Sequence, residues 1–147
     1  MPMDMLVLDT NIVLDLLVYE DPATEPLRAA LAGPQTAWLA TDAMREELAR
    51  VLAYPQIVKR LAARALPASD VLAAFEQRVR IVPDAPKAPY TCKDADDQKF
   101  IDLAVAHGAA LLSKDAHVLS MARRLDKLGV RVSRQWPGAL SPAAVSR

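Results

Sequence analysis

The chain has 147 residues, of which 52% are hydrophobic and 24% charged. These values fit one globular domain that buries roughly two-thirds of its unfolded surface, and they exclude extended disorder. Eighteen Lys and Arg balance eighteen Asp and Glu, so bulk charge argues neither for nor against a nucleic-acid partner. One cysteine, Cys92, excludes an intramolecular disulfide and a Cys-built zinc site, and fits the reducing cytoplasm. The start Met1-Pro2-Met3-Asp4 lacks the basic beginning and apolar core of a signal peptide. No run approaches the roughly 20 apolar residues of a membrane span.

Along the chain, residues 5–8 form a short apolar run closed by Asp9, the pattern of a buried parallel strand. Thr10 or Asn11 is placed to cap a helix with apolar positions Ile12, Val13, Leu16 and Leu17, interrupted at Pro22. A helix over 25–32 stops at Gly33-Pro34. Residues 37–40 read as a second strand, and Thr41 or Asp42 caps a helix to about residue 53. Amphipathic patterns over 56–65 and 68–78 flank Pro67, with Ser69 or Asp70 as cap of the second. Residues 79–82 form a candidate strand, and Pro83, Pro86 and Pro89 mark 83–93 as a loop. A helix over 94–107 closes at Gly108, a strand covers 109–113, a helix over 116–128 breaks at Gly129, and 130–132 make a last strand. The alternation predicts an α/β domain with a mostly parallel sheet over residues 1–135, followed by an irregular tail over 136–147. Ligands in such sheets bind at the carboxyl ends of the strands.

Four carboxylates stand where that edge would gather them. Asp9 and Asp115 follow apolar strands, where each serves equally well as a turn or cap residue. Glu47 has Ala43, Met44 and Val51 one turn away, the apolar side of its helix, whereas Glu46 pairs with Arg50 at the surface. Asp97 has Phe100, Ile101, Ala104 and Val105 at the following helical positions, so it points inward at a helix start. Asp94 and Asp96 share its turn; capping needs one of the three, and Asp96 has Lys99 three residues on. Clustered carboxylates repel unless a cation neutralises them, and an all-oxygen set suits Mg²⁺ or Mn²⁺. Such an ion can activate water and stabilise a phosphodiester in displacement.

Leu8-Asp9-Thr10-Asn11, Glu47-Leu48 followed by Val51-Leu52, Asp94-Ala95-Asp96-Asp97-Gln98-Lys99-Phe100 with Ala104, and Leu112-Ser113-Lys114-Asp115 occur in that order. In these motifs the sequence resembles the PIN-domain family, and is similar to the VapC-like PIN toxin components of bacterial toxin–antitoxin systems, over about residues 5–133. The resemblance implies a three-layer α/β/α sandwich and a Mg²⁺- or Mn²⁺-dependent endoribonuclease. Asp9, Glu47, Asp97 and Asp115 match the family's acidic quartet, expected to bind metal and carry catalysis. Asn11 matches a polar residue two beyond the first acid, Ser113 a hydroxyl two before the last, and Asp94 an additional acid. With Thr10, these are expected to support the quartet or touch substrate. Ser113-Lys114-Asp115 departs from the commoner Thr-Gly-Asp at its middle residue.

The implied partners are an RNA substrate and a cognate antitoxin, with the apolar middle helices supplying either its groove or a homodimer surface. A non-catalytic scaffold for RNA or protein is the alternative, and a phosphatase or flap-type DNA nuclease a third reading. Other residues carry less. His107 suits a helix C-terminus, and His117 lies two residues after Asp115. Cys92 lacks an activating neighbour beyond Lys93, and the four glycines form no phosphate-binding loop. Residues 116–147 hold Arg123, Arg124, Lys127, Arg131, Arg134 and Arg147 against Asp126 alone, a surplus that suits either a phosphate track or a solvated face. Arg45, Arg50, Lys59, Arg60 and Arg64 are equally available for such a track, and Tyr19, Tyr54 and Tyr90 are candidate platforms for RNA bases.

Overall fold

The computed structural model describes residues 4–136. Strands β1 (Asp4–Leu8), β2 (Thr36–Ala40), β3 (Val79–Ile81), β4 (Ala110–Leu112) and β5 (Val132–Ser133) form one parallel sheet in the order β3-β2-β1-β4-β5. The chain builds outward from β1 to β3 on one side, then returns to lay β4 and β5 on the other. The strand order therefore switches between β1 and β4, where Leu8 pairs with Leu112 and the Asp9 amide donates to the Leu112 carbonyl at 3.0 Å. The carboxyl ends of these two strands open the crevice that holds the site.

Helices cover both faces, giving the three-layer sandwich. They are α1 (Thr10–Leu14), α2 (Glu25–Ala32), α3 (Asp42–Val51), α4 (Pro55–Ala63), α5 (Ala68–Arg78), α6 (Gln98–His107), α7 (Ala116–Leu119) and α8 (Ala122–Asp126). The middle strands are apolar throughout because both faces are covered: Leu6, Val7, Leu8, Leu111 and Leu112 are all buried. Trp38 of β2 meets Phe75 of α5 edge to face, with centroids 5.3 Å apart. The three-proline loop is tied down by α6, because Gln98 donates to the Tyr90 carbonyl and Asp102 accepts the Ala88 amide.

Several boundaries differ from the sequence expectation, each for a local reason. Asp9, in extended backbone, caps α1 in place of Thr10 or Asn11; the Thr10 hydroxyl is engaged by Glu47 instead. After Leu14 the helix widens into a π segment, Asp15–Tyr19. The groups freed there are met by Arg28 and Arg64, which donate to the carbonyls of Leu16 and Val18. The cap position of α5 is Pro67, with no side-chain bond from Ser69 or Asp70. The helix expected over 94–107 begins as a 3₁₀ turn, Ala95–Asp97, capped by Asp94. The helix expected over 116–128 is two helices. At the break the Ser120 hydroxyl donates back to the His117 carbonyl at 2.8 Å, a local bond that competes with the helical ladder. The last strand starts at Val132, not residue 130. The tail expectation for 136–147 lies outside the described residues from 137 onward.

Candidate metal centre

Each acid of the site stands on an element that fixes it. Asp9 follows β1, Glu47 sits in α3, Asp94 and Asp97 bracket the 3₁₀ turn before α6, and Asp115 follows β4. Asp9, Asp94 and Asp115 all cap, accepting the amides of Asn11, Asp96 and His117 at 3.3, 2.9 and 2.8 Å. Each of those bonds uses one carboxylate oxygen and leaves the other outside the cap, although at Asp9 that second oxygen accepts the Ser113 hydroxyl. Capping and ligand binding are therefore compatible at these positions.

Asp97 caps nothing. It is buried, and its Oδ2 has no hydrogen-bond partner. An unbonded carboxylate oxygen costs several kcal/mol to bury, on the order of a lost charged hydrogen bond or more. Burial first, then the charges of Asp9 and Asp115, push its carboxyl up to about 8. Burial also raises Asp9, opposed by the Ser113 hydroxyl and the Asn11 amide. One oxygen each from Asp94, Asp97 and Asp115 lie within 4.8 Å of one another. An all-oxygen triad with one buried, unsatisfied atom is a fitting environment for a hard divalent cation.

All four acids of the expected quartet line one cavity of about 550 Å³, together with Thr10, Asn11 and Asp94. The close triad, however, comprises Asp94, Asp97 and Asp115. Ser113 is fully buried and joins two acid-bearing turns: its hydroxyl donates to Asp9 Oδ2 at 2.7 Å and accepts the Asp115 amide at 3.0 Å. Glu47 is turned into the cavity, accepting the Thr10 hydroxyl at 2.7 Å on one oxygen and the Lys99 ammonium on the other. Lys99 also donates to the Asp96 carbonyl at 2.6 Å. Asp96 is solvated, as its place three residues before Lys99 suggests, and Lys99 reaches only its backbone carbonyl.

Sequence reasoning missed Lys99 as a partner of Glu47. It also missed the ion pair between Lys114 and Asp15, at 2.6 Å, both in the cavity wall. The π segment places Asp15 and Tyr19 there, a displacement that a 3.6-residue period does not foretell. Tyr19 and Tyr54 line the cavity, with Arg60 over the Tyr19 ring; Tyr90 instead lies under Arg124. Arg123, Lys127 and Arg131 line a separate cleft. His117 is exposed, and burial raises the Cys92 thiol, in keeping with an inert role.

The model of the PIN domain matches residues 5–123. The chain belongs to the PIN domain family. Among solved structures, this PIN domain is similar to a chain in the crystal structure of VapBC2 from Rickettsia felis bound to a DNA fragment from their promoter. The TM-score is 0.59 at 14% identity, covering 87% of this chain and 98% of that one. That likeness is one of fold. No curated protein matches the sequence. Among the described residues no helix is long and apolar enough to cross a membrane.

Proposed function

We propose that this PIN domain is a Mg²⁺- or Mn²⁺-dependent endoribonuclease of the cytoplasm, the toxin of a toxin–antitoxin pair. The observation that carries the reading is the buried, unbonded Oδ2 of Asp97 beside Asp94 and Asp115. In this reading Asp97 and Asp115, with Asp9 and Asp94, hold the cation directly or through water. When bound, the cation lowers the pKa of a water and offsets charge on the phosphodiester.

The chain's own residues do the rest. Ser113 holds Asp9 and the Asp115 turn in one geometry. Thr10 and Lys99 fix Glu47 at the cavity wall, where its carboxylate orients the attacking water or accepts its proton. Tyr54 and Val58 are half-exposed at the start of α4, and Tyr54 belongs to the cavity wall. This apolar rim suits an antitoxin segment laid over the acids, or a second copy of the chain.

Single-stranded RNA is expected to be cut in Mn²⁺ or Mg²⁺ and left intact in excess chelator. Asp9→Asn is expected to lower the rate on the order of 100-fold or more. Equal cleavage in chelator sinks the reading. The Lys99–Glu47 pair favours the scaffold alternative, because it neutralises one acid without a metal. RNA bound with unchanged affinity when the acids are replaced by alanine, and never cut, would establish that alternative.

A further inference from the structure

A second cavity, of about 220 Å³, adjoins the acidic one, and Asp15 and Lys114 stand in the walls of both. Lys114 is fixed at its backbone between Ser113 and Asp115, while its ammonium reaches Asp15 at 2.6 Å. Arg134, just beyond β5, also lines it. It is exposed and has no hydrogen bond or ion pair among the described residues. Leu27, Leu112 and Trp136 give the wall its apolar part, and Asp21, whose carboxylate accepts the Ala23 amide at 2.9 Å, is a second acid in it.

This combination has a definite chemistry. The acidic cavity repels phosphate everywhere except where a cation stands, and Lys114 marks its border with the second cavity. Lys114 is paired with Asp15 and Asp21 caps its own turn, so Arg134 is the cation of this wall left to meet a phosphate, beside an apolar recess for the attached base. The recess is smaller than a drug-sized pocket and suits one base, which must be unstacked to enter. The position also follows the sheet. The acids end β1 and β4, and Arg134 follows β5, so the second cavity continues the same strand-end edge.

We propose that the second cavity is a subsite for the nucleotide next to the scissile phosphate of single-stranded RNA. Lys114 exchanges Asp15 for a backbone phosphate, Arg134 holds the neighbouring phosphate, and the Leu27–Leu112–Trp136 wall receives the base. The inference rests on the nuclease reading for its substrate, and its test separates the two.

The test is fluorescence anisotropy of a short labelled single-stranded RNA on the full chain carrying Asp97→Asn to prevent turnover. Adding Arg134→Ala is expected to weaken binding about tenfold and to reduce the salt dependence by about one phosphate contact. Arg123→Ala, a charge-matched change in a different cleft, is expected to have a much smaller effect. Lys114→Ala in the otherwise wild-type chain is expected to raise KM more than it lowers kcat. Equal weakening by Arg134→Ala and Arg123→Ala, or no RNA binding at all, overturns the subsite. RNA cut by the wild-type chain and, at subsaturating substrate, equally well by Arg134→Ala overturns the subsite and leaves the nuclease reading standing. Arg134-dependent binding by a chain that never cleaves overturns the nuclease reading and keeps the cavity only as a nucleotide-binding site.

Discussion

Asp97 sits where the Ala95–Asp97 turn meets α6, with one oxygen buried and unbonded and the charges of Asp9, Asp94 and Asp115 nearby. A carboxyl raised to about 8 in the fold, against an ordinary value of 3.8, makes the metal-free protein bind a proton that the unfolded chain releases. Its contribution to stability is therefore fully present below about 4 and lost as pH rises through about 8. Thermal unfolding in chelator is expected to show this loss in the wild type, and Asp97→Asn is expected to remove most of it. The same substitution is expected to abolish stabilisation by Mn²⁺. Binding of a metal at the proposed centre must displace that proton, so Mn²⁺ affinity is expected to rise with pH over the same window. A metal-free chain whose stability rises between pH about 4 and about 8 would contradict this placement of Asp97. Much of this was readable in the sequence. Helical phase separates inward Glu47 from exposed Glu46 and turns Asp97 into the fold. Lys99 and Asp15 were not readable, because their partners lie on other elements and a π turn shifts the register of one.

At the level of elements, helix ends divide by how their geometry is encoded. Four helical segments among the described residues close with a left-handed residue: Gly108 at φ 61°, Gly129 at φ 84°, Ala65 at φ 51° and, after the π segment, Glu20 at φ 50°. In each, the next amide reaches back to the last turn, as Ala109 does to Ala104, Val130 to Leu125 and Leu66 to Leu61. Both glycines mark their stops in the sequence, whereas Ala65 gives no such sign. Ala65→Gly is expected to stabilise the chain by about 0.5–1 kcal/mol, because an L side chain costs more in this conformation than glycine loses in entropy. Gly108→Ala is expected to cost about 1 kcal/mol by the same reasoning. Chemical denaturation of both variants measures the pair, and a destabilised Ala65→Gly contradicts the assignment. The split of the 116–128 helix was hidden because Ser120 fits a helical pattern and acts against it only through its own hydroxyl.

The whole molecule ties the acids to its global stability. They come from the ends of β1 and β4, from α3 and from the turn before α6, so unfolding disperses them all. A cation bound only by the folded form at 100 times its Kd adds about 2.7 kcal/mol. For a chain of this size that raises Tm by roughly 5–10 °C. The parallel alternation and the strand-end location were readable from apolar runs and turn residues. The sheet order was not, because it depends on which side of β1 each crossover lands.

The most direct measurement is anomalous diffraction from crystals soaked in Mn²⁺. The expected result is a single strong peak at coordinating distance, about 2.0–2.2 Å, from Asp97 Oδ2 and within reach of Asp94 and Asp115. Saturating Mn²⁺ that leaves this position without a peak would contradict the metal centre.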